Sequence, residues 1–352
     1  MNDVIEKTVK LHGDASYRVY SRVFLKDGTT KIIMQMPQGK SSASEEITNF
    51  KGPHKEPPFI NINRFLASLG LPVPKIYRYD KDARQIILED IGNDLLIKFV
   101  ENADNEIREK WYEKAIDLMV EMQRRTALCA EKEKCVAMQR SFDATLLNWE
   151  FDHFREYLIE ERQGKKMATA DRRLFEEITR KITKEILKVP YCFTHRDFQS
   201  KNLMVRGGNS FVLIDFQDAL LGPCVYDLVA LLRDSYVELD WEMVEKLVEY
   251  YCKHNPHRPP LPATTASAGR EKGGQGGGKS SFHLVTLQRK MKDAGRFVYI
   301  DRVKKNPNFL RYIPTTLKYI KNAFEQANIL TNQHTNILFE MLKTYVPEFK
   351  TG

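Results

Sequence analysis

Two aspartates and an amide side chain stand where they could jointly transfer a phosphoryl group. Asp197 lies within Cys192-Phe193-Thr194-His195-Arg196-Asp197-Phe198-Gln199-Ser200-Lys201-Asn202-Leu203-Met204, with Asn202 closing the loop. Asp215 follows the apolar run Phe211-Val212-Leu213-Ile214. A transferring phosphate needs little covalent help but much positioning and charge neutralisation. A loop carboxylate such as Asp197 can accept the proton of an attacking hydroxyl. Asn202 and Asp215 offer the hard oxygens that Mg2+ prefers, and the metal would bridge the phosphates of ATP.

The segment His195-Arg196-Asp197 through Asn202 has the H-R-D-x-x-x-x-N spacing of kinase catalytic loops. Its continuation, Asp215-Phe216-Gln217-Asp218-Ala219 and Gly222-Pro223-Cys224-Val225-Tyr226-Asp227-Leu228-Val229, resembles the aminoglycoside phosphotransferase superfamily, the small-molecule branch of the protein-kinase-like fold. Within that superfamily, Ala230-Leu231-Leu232-Arg233-Asp234 makes the chain most similar to the bacterial anomeric kinases of N-acetylmuramate and N-acetylglucosamine. The resemblance implies an α+β, bilobal fold: a small β-rich nucleotide lobe with its hinge over 1–92 and a larger, mostly helical lobe over 93–352. It implies ATP as co-substrate, Mg2+, and phosphorylation of a small-molecule hydroxyl, that of an amino sugar at its anomeric position, in cytoplasmic cell-wall recycling. Asp197 would be the catalytic base and Asn202 and Asp215 the metal ligands. Asp218 would join the metal shell or hold a loop, Asp227 would bond the backbone of the catalytic loop, Gln199, Asp218, Gln288 and Arg289 would face the acceptor, and Arg296 could, with Gln288 and Arg289, meet a polar or acidic one. The alternatives are an aminoglycoside or choline-type acceptor, or a nucleotide-binding pseudokinase scaffold. The partners implied are a nucleotide and a small molecule, without membrane or nucleic acid, and no oligomeric state follows.

The elements that must position these groups are visible as pattern. Tyr17 to Phe24 alternates, Asp27-Gly28 supplies a turn and Lys31 to Met36 returns, which predicts a hairpin. Ahead of it, Gly13-Asp14-Ala15-Ser16 is a small-residue loop whose amides, with Gly13, Asp14 and Ser16 as contacts, could approach phosphate oxygens. Residues 58–69 read as a helix ended by Gly70-Leu71-Pro72. The strand Gln85-Ile86-Ile87-Leu88 leads into Glu89-Asp90-Ile91-Gly92, where in the superfamily the backbone of a hinge, here Glu89 and Ile91, meets adenine; Asp90 could equally be a helix cap. Helices are expected from Glu106, with Trp111, Ala115, Leu118, Met119 and Met122 on one face, and over 151–161, 174–187, 226–239 and 241–251. Residues 257–281 turn Pro-, Ser- and Gly-rich and predict a flexible insertion. Gly273-Gly274-Gln275-Gly276-Gly277-Gly278-Lys279-Ser280 fits the P-loop pattern, yet Ala268-Gly269-Arg270-Glu271-Lys272 before it is no apolar strand, so the match is compositional.

Hydrophobic residues at 42% and charged residues at 29% are those of an ordinary soluble protein able to bury a large core. No apolar run suits a secretory signal or a bilayer span, so the protein is expected in the cytosol. Cys129, Cys135, Cys192, Cys224 and Cys252 include no C-x-x-C pair, which predicts free thiols and no zinc. The net charge of +8 suits anionic partners without choosing among them. Two departures from protein kinases stand out. Met34 occupies the position of the third-strand lysine that holds nucleotide phosphates, and the helix over 58–69 carries no glutamate to pair with one. The short stretch from Asp215 to Tyr226-Asp227 leaves no platform for a peptide, which favours a small hydroxylated acceptor.

Overall fold

The computed structural model describes residues 4–11, 18–37, 56–255, 276–331 and 334–350, without the side chains of 276–279 and 327–331. Strands β1 (Ile5–Leu11), β2 (Val19–Leu25) and β3 (Thr30–Gln35) open the chain. The expected hairpin joins β2 to β3, Tyr20 opposite Met34, through a turn in which Asp27 accepts the amide of Thr29 at 2.9 Å and Gly28 takes φ +82°. β1 has no apolar alternation to announce it; it is exposed and exists by pairing with β2. Helix α1 (Pro58–Ser68) starts with proline in its first turn and buries Phe59, Ile60, Ile62, Phe65 and Leu66. Strands β4 (Ile76–Asp80) and β5 (Gln85–Glu89) complete an antiparallel sheet of order β1-β2-β3-β5-β4.

After Gly92 the chain is mostly helical. α2 (Leu96–Val100) precedes the long α3 (Asn105–Leu128), whose first turn is capped by Asp104 on the amide of Ile107 at 2.8 Å. α3 buries Tyr112, Ala115, Ile116, Met119 and Met122, so its inward face is turned slightly from the expected one: Trp111 and Leu118 lie at its edge. α4 (Ala144–His153), capped by Asp143, runs into a π-helical stretch over Phe154–Glu161, and α5 (Thr169–Ile186) follows.

Two small antiparallel ladders then hold the loops of interest. β6 (Tyr191–Thr194) pairs with β9 (Leu220–Pro223), and β7 (Leu203–Arg206) pairs with β8 (Ser210–Leu213). α6 (Tyr226–Leu232) is buried throughout; it ends at Leu232, short of the expected 239. It ends there because Asp234 leaves the helix to take the amide of Tyr236 at 3.0 Å and that of Ser200 at 2.9 Å. α7 (Trp241–His254) is capped by Asp240. α8 (Gly276–Lys304) begins within the span read as a flexible insertion, so residues 276–281 are helical; Lys279 and Ser280 of the P-loop-like string lie in this helix, and residues 256–275 fall outside the described ones. α9 (Ile313–Thr331) and α10 (His334–Tyr345) close the helical lobe.

The architecture is mixed α/β and bilobal. Its lobes meet through an aromatic stack of Phe59 in α1 on Phe216, centroids 5.0 Å apart, while Arg22 of β2 grips Asp90 and holds the hinge to the sheet. α8 crosses the π-helical stretch so closely that a Cβ on Gly295 would lie 2.5 Å from the carbonyl oxygen of His153, so only glycine fits. All the cysteines are free, and among the described residues no helix is long and apolar enough to cross a membrane.

His153 sits among Trp149, Tyr157 and Tyr299, and its Nε2 is buried without a partner. Burial, assisted by the charges of Arg296 and Lys292, pushes its pKa from 6.5 down to about 3. A histidine kept neutral in the fold binds its proton first in the unfolded chain. Its contribution is therefore full above pH 6.5 and is lost as pH falls from there toward 3. His153→Phe is expected to narrow its gap to wild type as the pH is lowered from 7 to 4.5 in thermal unfolding; a constant gap would show that the site does not titrate.

Candidate active site

β6 delivers the chain into a loop at 195–202 that is held from behind by buried carboxylates. Arg196 adopts φ +79°, a left-handed conformation uncommon outside glycine, and Asp227 stabilises it by accepting the amides of His195 at 2.7 Å and Arg196 at 2.9 Å. The Arg196 guanidinium pairs with fully buried Glu150 at 2.9 Å, so neither charge is left uncompensated. Asp234 takes the amide and, at 2.5 Å, the hydroxyl of Ser200. Asn202 donates its Nδ2 to the backbone carbonyl of Asp197 at 2.9 Å, which turns the loop back on itself. His195, its pKa pushed down to about 4 by burial, is neutral; its Nε2 lies 3.0 Å from the carbonyl of Ile214 and its Nδ1 accepts the Asp197 amide at 3.3 Å. The imidazole thereby links the loop bearing Asp197 to the strand end that presents Asp215.

Asp215 also has a left-handed backbone, φ +62°. Burial pushes its carboxyl up to about 6, and the negative charge of Asp197 adds to the rise. A carboxyl crowded by its own kind is a place for a cation. Gln217 donates to Asp215 at 2.9 Å and to Asp218 at 3.2 Å, while Asp218 Oδ1 and Gln217 Oε1 are buried without partners. The amide nitrogen of Asn202 is committed to Asp197, so its oxygen is the group left to offer. No cluster of three His, Cys, Asp or Glu side chains suited to a metal occurs among the described residues. The donor set is instead one amide oxygen and one carboxylate, which fits a magnesium ion that takes its remaining oxygens from phosphate and water.

Both loops open onto one cavity of about 720 Å³ between the lobes. Toward the sheet it is lined by Tyr20, Ile32 and Leu88, with Met204, Ile214 and the segment Glu89-Asp90-Ile91-Gly92 beside them. Arg22 holds Asp90 in a two-pronged pair, 2.6 and 2.9 Å, and donates to the carbonyl of Gly92 at 2.8 Å, so Asp90 is a hinge anchor and caps no helix. The Glu89 carboxylate is occupied by the amide of Lys75 at 3.1 Å and by Arg206 at 2.8 Å. Met34 is fully buried in the sheet. Arg18 lines the cavity from this lobe, as Arg22 does, and draws the Asp215 carboxyl downward against the effects that raise it. Gly13, Asp14 and Ser16 lie outside the described residues.

The rest of the cavity runs along α8 and the loop at 195–202. Gln199 and Asp218 line it, joined by Lys201, Tyr236, Lys292, Arg296 and Lys304. Gln288 and Arg289 do not line it. Gln288 is fully buried and donates to Glu150 at 2.7 Å; Arg289, also fully buried, donates to the carbonyl of Arg196 at 2.6 Å and lies 3.4 Å from the Asp197 carboxylate. They fall on the inward face of α8, a turn behind the one that reaches the cavity. Burial alone would raise the Asp197 carboxyl, but the positive charges of Lys292, Arg289 and Arg196 outweigh it and hold the group below the usual carboxylate range. Asp197 is therefore ionised at neutral pH and faces the cavity with its side chain 34% exposed.

The model of the Phosphotransferase enzyme family matches residues 8–263 of the chain. An N-acetylmuramate/N-acetylglucosamine kinase of Neisseria meningitidis serogroup B is 27% identical over 312 residues, 88% of this chain and 83% of that protein. Choline kinase LicA from Streptococcus pneumoniae superposes with a TM-score of 0.59 at 13% identity, over 91% of this chain and 94% of that one. The gentamicin-APH(2″)-IIa complex does so with a TM-score of 0.59 at 14% identity, over 89% and 92%. At such identities the solved structures establish the bilobal kinase-like fold.

Asp227→Asn keeps the shape but replaces one acceptor oxygen by an NH2 that faces a buried amide. An unsatisfied buried amide costs about 1–3 kcal/mol, and a displaced catalytic loop costs about a hundredfold in rate. Denaturant unfolding should register the first and kcat the second; wild-type values in both would show that Asp227 does not hold the loop.

Proposed function

The chain belongs to the phosphotransferase enzyme family, and from that footing we propose that this small-molecule kinase transfers the γ-phosphoryl group of ATP to the anomeric hydroxyl of an N-acetylated amino sugar. The observation that carries the reading is the ionised Asp197 lining one cavity beside the oxygen donors of Asn202 and Asp215. The acceptor hydroxyl donates to Asp197, which orients the oxygen for in-line attack and takes its proton as the new P–O bond forms, while the bond from the γ-phosphorus to the β–γ bridging oxygen breaks and ADP leaves. Asn202 and Asp215 would hold Mg2+, whose charge offsets that of the phosphates. The hinge peptide at Ile91, which has no hydrogen-bond partner among the described residues, is available to the edge of adenine, with Ile32, Leu88 and Ile214 packing on its faces. The nucleotide lobe then ends near Gly92.

Arg18 supplies the fixed positive charge that protein kinases place on the third strand, where this chain has Met34. The acceptor is small because the segment from Asp215 to Tyr226 is short and is pinned into the β6–β9 ladder. Arg296, which lines the cavity with no carboxylate paired to it among the described residues, disfavours cationic amino alcohols and aminoglycosides, which favours the sugar acceptors named for the sequence relative.

Phosphorus NMR of Mg-ATP with the protein and a panel of N-acetylmuramate, N-acetylglucosamine, choline and an aminoglycoside tests the reading. A sugar 1-phosphate resonance should appear, and should vanish with Asp197→Asn or with EDTA. Bound nucleotide without any product would point instead to a scaffold. In steady-state kinetics Arg18→Ala is expected to raise the KM for ATP about tenfold, the loss of one charge-assisted hydrogen bond, and Arg18→Lys to recover part of it; an unchanged KM would remove Arg18 from the nucleotide site.

A further inference from the structure

We propose that Arg296, assisted by Lys304, forms a subsite in the acceptor half of the cavity that binds a carboxylate carried by the sugar. The inference rests on the sugar-kinase reading and adds to it a preference for acidic acceptors.

The charge on the α8 wall is unbalanced in a particular place. Near Asp197 the cations are matched: Arg289 reaches Asp197, and Asp293 receives Lys290 at 2.8 Å and Lys292 at 3.2 Å. One turn further along the helix, ~6 Å of axial rise, Arg296 lines the cavity with no carboxylate paired to it among the described residues. Its contact there is the ring of Tyr299, 4.7 Å from the guanidinium carbon. Lys304 lines the same end of the cavity. Burial and the neighbouring charge of Arg296 push its pKa down to about 8, as befits an ammonium gathered toward another cation in a place short of water.

Phe297, Ile300 and Phe309 line the cavity beside them and lower the local dielectric, so an anion arriving there gains more than it would at an open surface. Arg296 offers a planar fork that matches a carboxylate in two-point geometry. The placement also suits one sugar ring. With the anomeric hydroxyl on Asp197, beside Lys292, a carboxylate carried on the far side of the ring comes to the next turn of α8, where Arg296 stands. N-Acetylmuramate carries such a group on a lactyl ether and N-acetylglucosamine has none.

The test is the ratio of kcat/KM for N-acetylmuramate to that for N-acetylglucosamine, measured on the full chain. Arg296→Ala should lower the ratio at least tenfold and Arg296→Glu should lower it further. Lys304→Met should lower it less, and Arg302→Ala, a change at an exposed position outside the cavity, should leave it where it was. A ratio unaltered by charge reversal at Arg296, in a variant with wild-type thermal midpoint, overturns the subsite while the kinase reading stands. If neither sugar is turned over, the kinase reading fails; calorimetric binding of N-acetylmuramate to wild type and its loss in Arg296→Glu then decides the subsite by itself.

Discussion

A carboxylate that has to stay charged while half-buried governs the arrangement around it. Asp197 is ionised because Lys292, Arg289 and Arg196 outweigh the penalty of its burial. Each of those cations must in turn be compensated, since an unpaired charge in a low-dielectric site costs several kcal/mol. Arg196 is answered by Glu150, and Glu150 by Gln288; Lys292 is answered by Asp293, which also receives Lys290. The network reaches from α4 to α8 and forces both helices against the back of the catalytic loop. The tight crossing at Gly295 follows from that demand, because only a close approach brings the polar face of α8 within reach of the loop.

Met34 of β3 is buried inside the sheet, and Phe59 meets Phe216 between the lobes. A stack of two aromatic rings is insensitive to pH and salt. Arg22 grips Asp90 and so holds the hinge to the sheet. Phe59 and Phe216 thus align the lobes, and Arg22 fixes the hinge.

Much of this could be read from residue order. The spacing that contains Asp197, Asn202 and Asp215 is local, and a loop between two short strands leaves those side chains few places to go. The β2–β3 hairpin, α1 and the hinge strand carry their own turn and cap residues. What escaped is long-range. β1 is a polar strand stabilised by its partner, so its sequence has no periodicity to show. Leu232 ends α6 because Asp234 is recruited by Ser200, a residue remote in sequence. In α8 charged residues occupy several faces, and sequence alone does not tell that Arg289 turns inward to Asp197 while Lys292 and Arg296 reach the cavity. Arg18 was one cation among 55 lysines and arginines, distinguished only by where β2 starts.

The connection between Asp215 and Tyr226 has a physiological side. In it, β9 is hydrogen-bonded to β6 along its length and Phe216 is stacked under α1, so no segment is free to swing out and be modified. A switch worked by releasing this connection for modification is therefore closed to the enzyme.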